Sequence, residues 1–188
     1  TAERTALNYL QRLSGIATQA ARYVEAVRGT GVLILDTRKT TPGWRAFEKY
    51  AVQCGGARNH RRGLDDLIMI KDNHLAALPG DNPVAGAVAR AHEAAPDLKV
   101  EVEADTLEQA EAAAKAGANI ILLDNMPPEM LREAVALIDG RSQTEASGGI
   151  TLNNIRAVAE TGVNYISVGA LTHSAMAVDI AMDFSPTP

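Results

Sequence analysis

The chain has 188 residues, enough for one domain, and a domain of about 150 residues already buries roughly 70% of its extended-chain surface without disulfides or metal. Its 46% apolar and 22% charged residues exclude disorder and collagen-like repeats, and no stretch reaches the ~20 apolar residues of a membrane span. A net charge of -5 with 4% aromatic residues argues against a nucleic-acid platform, and the single Cys54 excludes an internal disulfide and fits a reducing, cytoplasmic setting.

In chain order, residues 5–28 read as a helix, with charge at helical spacing rather than the apolar block of a signal peptide. An apolar, β-branched run at 32–35 reads as a strand and ends in Asp36-Thr37-Arg38-Lys39. A second run at 67–70 ends in Lys71-Asp72-Asn73-His74, and a helix is expected at 82–95. The run at 99–102 alternates apolar and charged residues and leads into Glu103. Asp105 with Glu108, or Thr106 with Gln109, can form a capping box on the following helix, which Gly117 ends in a left-handed turn. The continuous apolar run at 119–123 leads to Asp124-Asn125, and Pro127-Pro128 opens a helix to residue 138. A weak, polar strand at 141–145 precedes Ser147-Gly148-Gly149. Thr151 is expected to cap a helix at 152–162, ended by Gly162, and a last strand at 164–168 runs into Gly169.

Strand followed by helix, repeated, gives βαβ units with right-handed crossovers. Each strand ends in a polar or glycine-rich group. An open sheet would spread those ends along a line, whereas a barrel brings them to one mouth. A complete eight-fold barrel needs at least roughly 200 residues, so six units are expected here.

The mouth has a legible chemistry. Arg38, Lys39, His60, Arg61, Arg62 and Lys71 cluster in an acidic chain and suggest a polyanion pocket. The bland alternative is scattered surface charge with an ion pair such as Lys39 with Asp36. Lys71 also admits a Schiff-base role if desolvated. Glu103 and Asp124 suit Mg²⁺ shared with a phosphate substrate, or an acid–base pair. Ser147-Gly148-Gly149 and Gly169-Ala170 follow the last two strands, where backbone N–H groups can hold a phosphate. His60 is a hydrogen-bonding or proton-donating candidate. Cys54, Trp44 and His92 read as packing or surface residues, and His74 and His173 lack zinc-ligand spacing.

The blocks DTRKTTPGWRAFEKYAVQCGGARNHRRGLDDLIMIKDNH, ERTALNYLQRLSGIAT, KVEVEADTL, IILLDNMPP, EASGGITLNNI and YISVGALTHS resemble the quinolinate phosphoribosyltransferase family, from about Thr1 to Phe184. The resemblance implies an incomplete six- or seven-stranded βα barrel. It also implies reaction of quinolinate with phosphoribosyl pyrophosphate, dependent on Mg²⁺, to give nicotinate mononucleotide, pyrophosphate and CO₂. It assigns Thr37, Arg38, His60, Arg61 and Lys71 to substrate carboxylates or phosphates, and Lys39 to pyrophosphate or substrate. Glu103 and Asp124 become ribose and Mg²⁺ ligands, and Lys39, Lys71, Glu103 and Asp124 the catalytic set. Ser147, Gly148, Gly149, Gly169, Ala170 and Leu171 would hold the 5′-phosphate. Arg4 matches an arginine that the family inserts into a neighbouring subunit's pocket, within a homodimer or a hexamer of dimers. Family members carry a separate N-terminal sandwich domain, so residues 1–188 are expected to be the catalytic barrel alone. The alternatives are a paralogue acting on another aromatic acid, a non-catalytic phosphate- or nucleotide-binding barrel, and a lyase using Lys71.

Overall fold

The computed structural model describes residues 2–78 and 83–183. Six strands, β1 (Leu33–Leu35), β2 (Ile68–Ile70), β3 (Val100–Ala104), β4 (Ile120–Asp124), β5 (Gln143–Ser147) and β6 (Tyr165–Ser167), form one parallel sheet. Its order is β1-β6-β5-β4-β3-β2. Each strand from β2 to β6 neighbours its successor, and β6 returns to β1 in the register Leu33↔Tyr165 to Leu35↔Ser167. A doubly wound sheet would reverse its order at an internal switch point; this sheet runs one way round, as a barrel does. Its gap lies between β1 and β2. Arg58 partly fills it, donating from its N–H to Ile34 O (2.8 Å) and accepting from Asp36 N–H (3.0 Å). The barrel is therefore six-stranded and not closed, as expected.

The core is built mainly from small and branched aliphatic side chains, among them Ile16, Ile121, Leu123, Leu131, Ile138 and Ile166. This suits helices packed tightly on strands. Two asparagines stitch the lower strand ends: Asn119 Oδ1 accepts from Val100 N–H (2.7 Å) and Asn164 Oδ1 from Thr144 N–H (2.8 Å). The alternation at residues 99–102 reflects an inward polar row on β3, where Glu101 is fully buried.

The helices are α1 (Ala2–Ala26), α2 (Arg45–Cys54), α3 (Asp72–Ala76), α4 (Pro83–Ala94), α5 (Leu107–Lys115), α6 (Pro128–Ile138), α7 (Ile155–Ala159) and α8 (Ala170–His173). Of the two possible capping boxes on α5, Thr106 with Gln109 forms: each side chain accepts from the other's backbone N–H at 3.2 Å. Gly117 and Gly162 adopt left-handed φ of 83° and 93°. Asn82, the expected start of α4, lies outside the described residues, as do Thr1 and Phe184. β5 sits two residues beyond the expected 141–145. The helix expected at 152–162 is shorter, with Asn154 as its cap residue. Thr151 instead offers its carbonyl to the N–H groups of Asn154 and Ile155. No described helix is long and apolar enough to cross a membrane.

α2 is not among the expected elements, although Phe47, Tyr50, Ala51 and Cys54 recur at helical spacing. Its buried face is mixed: Glu48 and Lys49 are buried at 0% and 2% exposure beside Ala51 and Val52, while Phe47 and Tyr50 are 49% and 65% exposed. An apolar-stripe criterion finds such a helix but misassigns part of its buried face.

Candidate active site

The strand ends converge on a cavity of about 320 Å³. It is lined by Thr37, Arg38, Lys39, His60, Arg61, Met69, Lys71, Glu103, Leu122, Asp124, Glu145, Ser147 and Ser167. Nine of the residues anticipated from sequence stand together there: Thr37, Arg38, Lys39, His60, Arg61, Lys71, Glu103, Asp124 and Ser147. Met69, Leu122, Glu145 and Ser167 were not anticipated. Glu145 sits on the strand whose polar run looked weakest, and that polarity is the signal it offered.

Beneath the β1 end lies a buried polar frame. Lys49 Nζ donates to Asp36 Oδ1 (2.5 Å) and to His60 O (3.1 Å), and His60 N–H donates to Asp36 Oδ1 (2.8 Å). With its amide turned to suit both partners, Asn59 donates to Asp36 Oδ2 and Lys49 O, each at 2.9 Å. The partner of Asp36 is thus Lys49, not Lys39. Burial pushes the Asp36 carboxyl above its usual range, and Lys49 pulls against that.

A second frame holds the loop after β1. Glu48, fully buried, pairs with Arg12 (3.0 Å) and accepts from Thr41 N–H (3.0 Å) and Thr41 Oγ1 (2.7 Å). Arg12 also donates to Thr172 O, and Thr172 Oγ1 donates to Lys39 O (2.8 Å). α1, α2 and α8 together therefore fix the segment that carries Arg38 and Lys39.

Three of the cavity's cations are left open to a ligand. Among the described residues Arg38, Lys39 and Arg61 form no ion pair, and Arg38 Nε is buried without a partner. Arg61 contacts Leu67 O and Met69 Sδ, and burial followed by the charge of Arg38 lowers its pKa. Lys71 pairs with Glu103 and is 43% exposed, so it lacks the desolvation that a Schiff-base lysine requires.

At the floor, His60 Nε2 lies 3.2 Å from Glu101 Oε2 and 3.3 Å from Glu145 Oε2. The three ligand atoms lie within 4.8 Å of one another, a spacing that a metal could use. His60 Nδ1, however, accepts the Arg61 N–H (2.7 Å), which puts the ring hydrogen on Nε2 and makes that nitrogen a donor rather than a ligand. Burial lowers the His60 pKa, but the attraction of Glu101 and Glu145 outweighs it and raises it to about 10; the Arg61 N–H opposes a second ring proton. Burial raises Glu101, and the charge of Glu145 adds to this.

On the acidic side, Asn125 Nδ2 donates to Asp124 Oδ2 (2.6 Å), and Asn125 N–H donates to Ser147 O (2.9 Å) from a left-handed backbone at φ 52°. Gly148 must be glycine: its φ is 92°, and a Cβ would lie 2.1 Å from Asn125 Oδ1. Gly148→Ala is expected to cost about 1–3 kcal/mol and to shift the Asp124–Asn125 pair; urea denaturation measures the cost, and a loss below about 0.5 kcal/mol contradicts it. Gly149 shares the left-handed turn at φ 61°, and Gly169 packs against the Lys39 side chain. Ala170 opens α8, and Leu171 is fully buried, so any contact it makes with a ligand is through backbone. Arg4 is exposed on α1 and does not line this cavity.

The family model described as "Quinolinate phosphoribosyl transferase, C-terminal domain" matches residues 16–183. The chain is 50% identical over 186 residues to nicotinate-nucleotide pyrophosphorylase (carboxylating) of Mycobacterium leprae, covering 97% of this chain and 64% of that protein. It is 47% identical over 186 residues to the protein of the same name from Homo sapiens, with 96% and 62% covered. The crystal structure of NadC from Streptococcus pyogenes superposes with a TM-score of 0.93 at 50% identity, covering 98% of this chain and 64% of that one. The chain thus spans a little over three-fifths of the length of these relatives. On the family match and these identities, the chain belongs to the quinolinate phosphoribosyltransferase family, within its C-terminal domain.

Proposed function

We propose that residues 1–188 form the catalytic barrel of an enzyme that joins quinolinate to phosphoribosyl pyrophosphate, yielding nicotinate mononucleotide, pyrophosphate and CO₂ for NAD biosynthesis. The observation that carries this reading is one cavity lined by four cations, Arg38, Lys39, Arg61 and Lys71, together with Glu103 and Asp124. A dicarboxylate and a pyrophosphorylated sugar bring several negative charges to one place, and such a pocket answers them. Arg38 and Arg61 bind the ring carboxylates, and Lys39 and Lys71 meet carboxylate or pyrophosphate. Glu103 and Asp124 face the ribose, where positive charge develops as the pyrophosphate departs. The turns at Ser147, Gly148, Gly149 and at Gly169, Ala170, Leu171 receive the 5′-phosphate. His60, with both ring nitrogens engaged, orients Arg61 and the floor.

Mg²⁺ fits the donor set, because Glu103 and Asp124 offer hard oxygens in a cavity that also receives phosphate. When bound it neutralises the leaving pyrophosphate. Arg4 supplies a cation to a neighbouring subunit's pocket in a cytoplasmic homodimer or a larger assembly of dimers. The expected result is nicotinate mononucleotide from quinolinate, phosphoribosyl pyrophosphate and Mg²⁺, using the chain extended to the length of its relatives. Absence of product, together with no calorimetric binding of either substrate, overturns the proposal.

A further inference from the structure

We propose that Glu145 is a catalytic residue: its carboxylate stabilises the positive charge that the pyridine ring acquires when its nitrogen bonds to the ribose. This inference rests on the activity proposed above.

Glu145 is 1% exposed and projects from the middle of β5 into the cavity, whereas Glu101 does not line it. Glu145 Oε2 has only the His60 Nε2–H, 3.3 Å away and shared with Glu101, and Oε1 has no hydrogen-bond partner among the described residues. A buried carboxylate left in that state costs stability. The same cavity is lined by the cations Arg38, Lys39, Arg61 and Lys71 and by two further carboxylates, Glu103 and Asp124. Glu101 Oε2 and Glu145 Oε2 lie 3.2 and 3.3 Å from the same His60 Nε2, so one imidazole N–H is shared between two carboxylates. Met69 from β2 and Leu122 from β4 line the same cavity and offer apolar surface to an aromatic ring.

An anion at that point is wrong for the substrate before reaction, which already carries two carboxylates. It suits the product of ribosyl transfer. The ring nitrogen's lone pair forms the bond to the ribose carbon while the bond from that carbon to pyrophosphate breaks, its electron pair leaving with pyrophosphate. The ring gains one positive charge in that step. A fixed carboxylate in a water-poor floor therefore repels the ground state and attracts the product side of the step, the sense of catalysis by differential binding.

The opposed signs give the test. Glu145→Gln keeps the shape and removes the charge. In the extended chain it is expected to lower single-turnover pyrophosphate release about 100-fold, while quinolinate binds severalfold more tightly by calorimetry. Pyrophosphate release within threefold of the unsubstituted enzyme overturns the assignment. So does weaker quinolinate binding in step with the lost rate, which is what a purely structural residue produces. A comparison on the unsubstituted enzyme covers the case of a variant that does not fold. N-methylquinolinate, with a cationic ring, should bind at least about tenfold more tightly than the uncharged-ring dicarboxylate phthalate, and equal affinities overturn the assignment. An unsubstituted enzyme that turns over normally while failing these tests sinks this assignment alone. One that neither binds nor turns over quinolinate sinks the proposed activity and this assignment with it.

Discussion

Replacing Lys49 by Met is expected to cost the fold about 3–5 kcal/mol and to lower its melting temperature by roughly 10 °C. Asp36 and Lys49 are 0% and 2% exposed, and the 2.5 Å contact between them is the charge compensation for Asp36 within the barrel wall. Removing the cation leaves a buried carboxylate with only the His60 N–H and the Asn59 amide, and desolvation already raises its pKa. The damage extends to the site, because Asp36 immediately precedes Thr37-Arg38-Lys39 and anchors the backbone of His60. Asp36→Asn in the Lys49→Met background should recover part of the loss, since the unpaired charge goes with it. Urea denaturation of the two single variants and the double variant at pH 7 measures this. A Lys49→Met cost below about 1 kcal/mol contradicts the argument.

The barrel was legible because strands buried on both faces read as apolar runs, and because the polar groups at their ends make sense only if they meet. Arg38, Lys39, Lys71, Glu103 and Asp124 were accessible in this way, each just past or at the end of a hydrophobic run. Glu101 and Glu145 were not, although both were visible as polar letters inside strands. A carboxylate on an inward strand position is costly, and sequence periodicity assigns polar positions to solvent. Only the curl of the sheet shows that β3 and β5 aim theirs at His60. The same holds for Glu48, Lys49 and Arg12, whose pairings span 13 to 36 positions of sequence. These pairs frame the loop after β1, and no local pattern encodes a partner at that distance. The Lys39–Asp36 alternative failed for a related reason: the cation that meets Asp36 in space, Lys49, lies 13 positions away rather than three.

Replacing Arg38 by Ala is expected to leave the free protein within about 1 kcal/mol of its original stability while weakening a bound dicarboxylate at least ~100-fold. The two effects part because of what Arg38 does in the unliganded fold. Its Nε is buried without an acceptor, it forms no ion pair among the described residues, and its charge depresses the pKa of the neighbouring Arg61 guanidinium after burial has done so. Such a side chain contributes little to folding and repels its neighbour, so its removal relieves as much as it loses. A carboxylate entering the cavity supplies the missing acceptor and screens the two guanidinium groups from each other, and that stabilisation disappears with the side chain. Arg38→Lys should recover only part of the affinity, since an ammonium cannot present two parallel donors to one carboxylate. Calorimetry with quinolinate and denaturation in parallel read the two quantities separately. Equal losses in both would make Arg38 a structural residue, and unchanged binding would remove the cationic pocket from the proposed function.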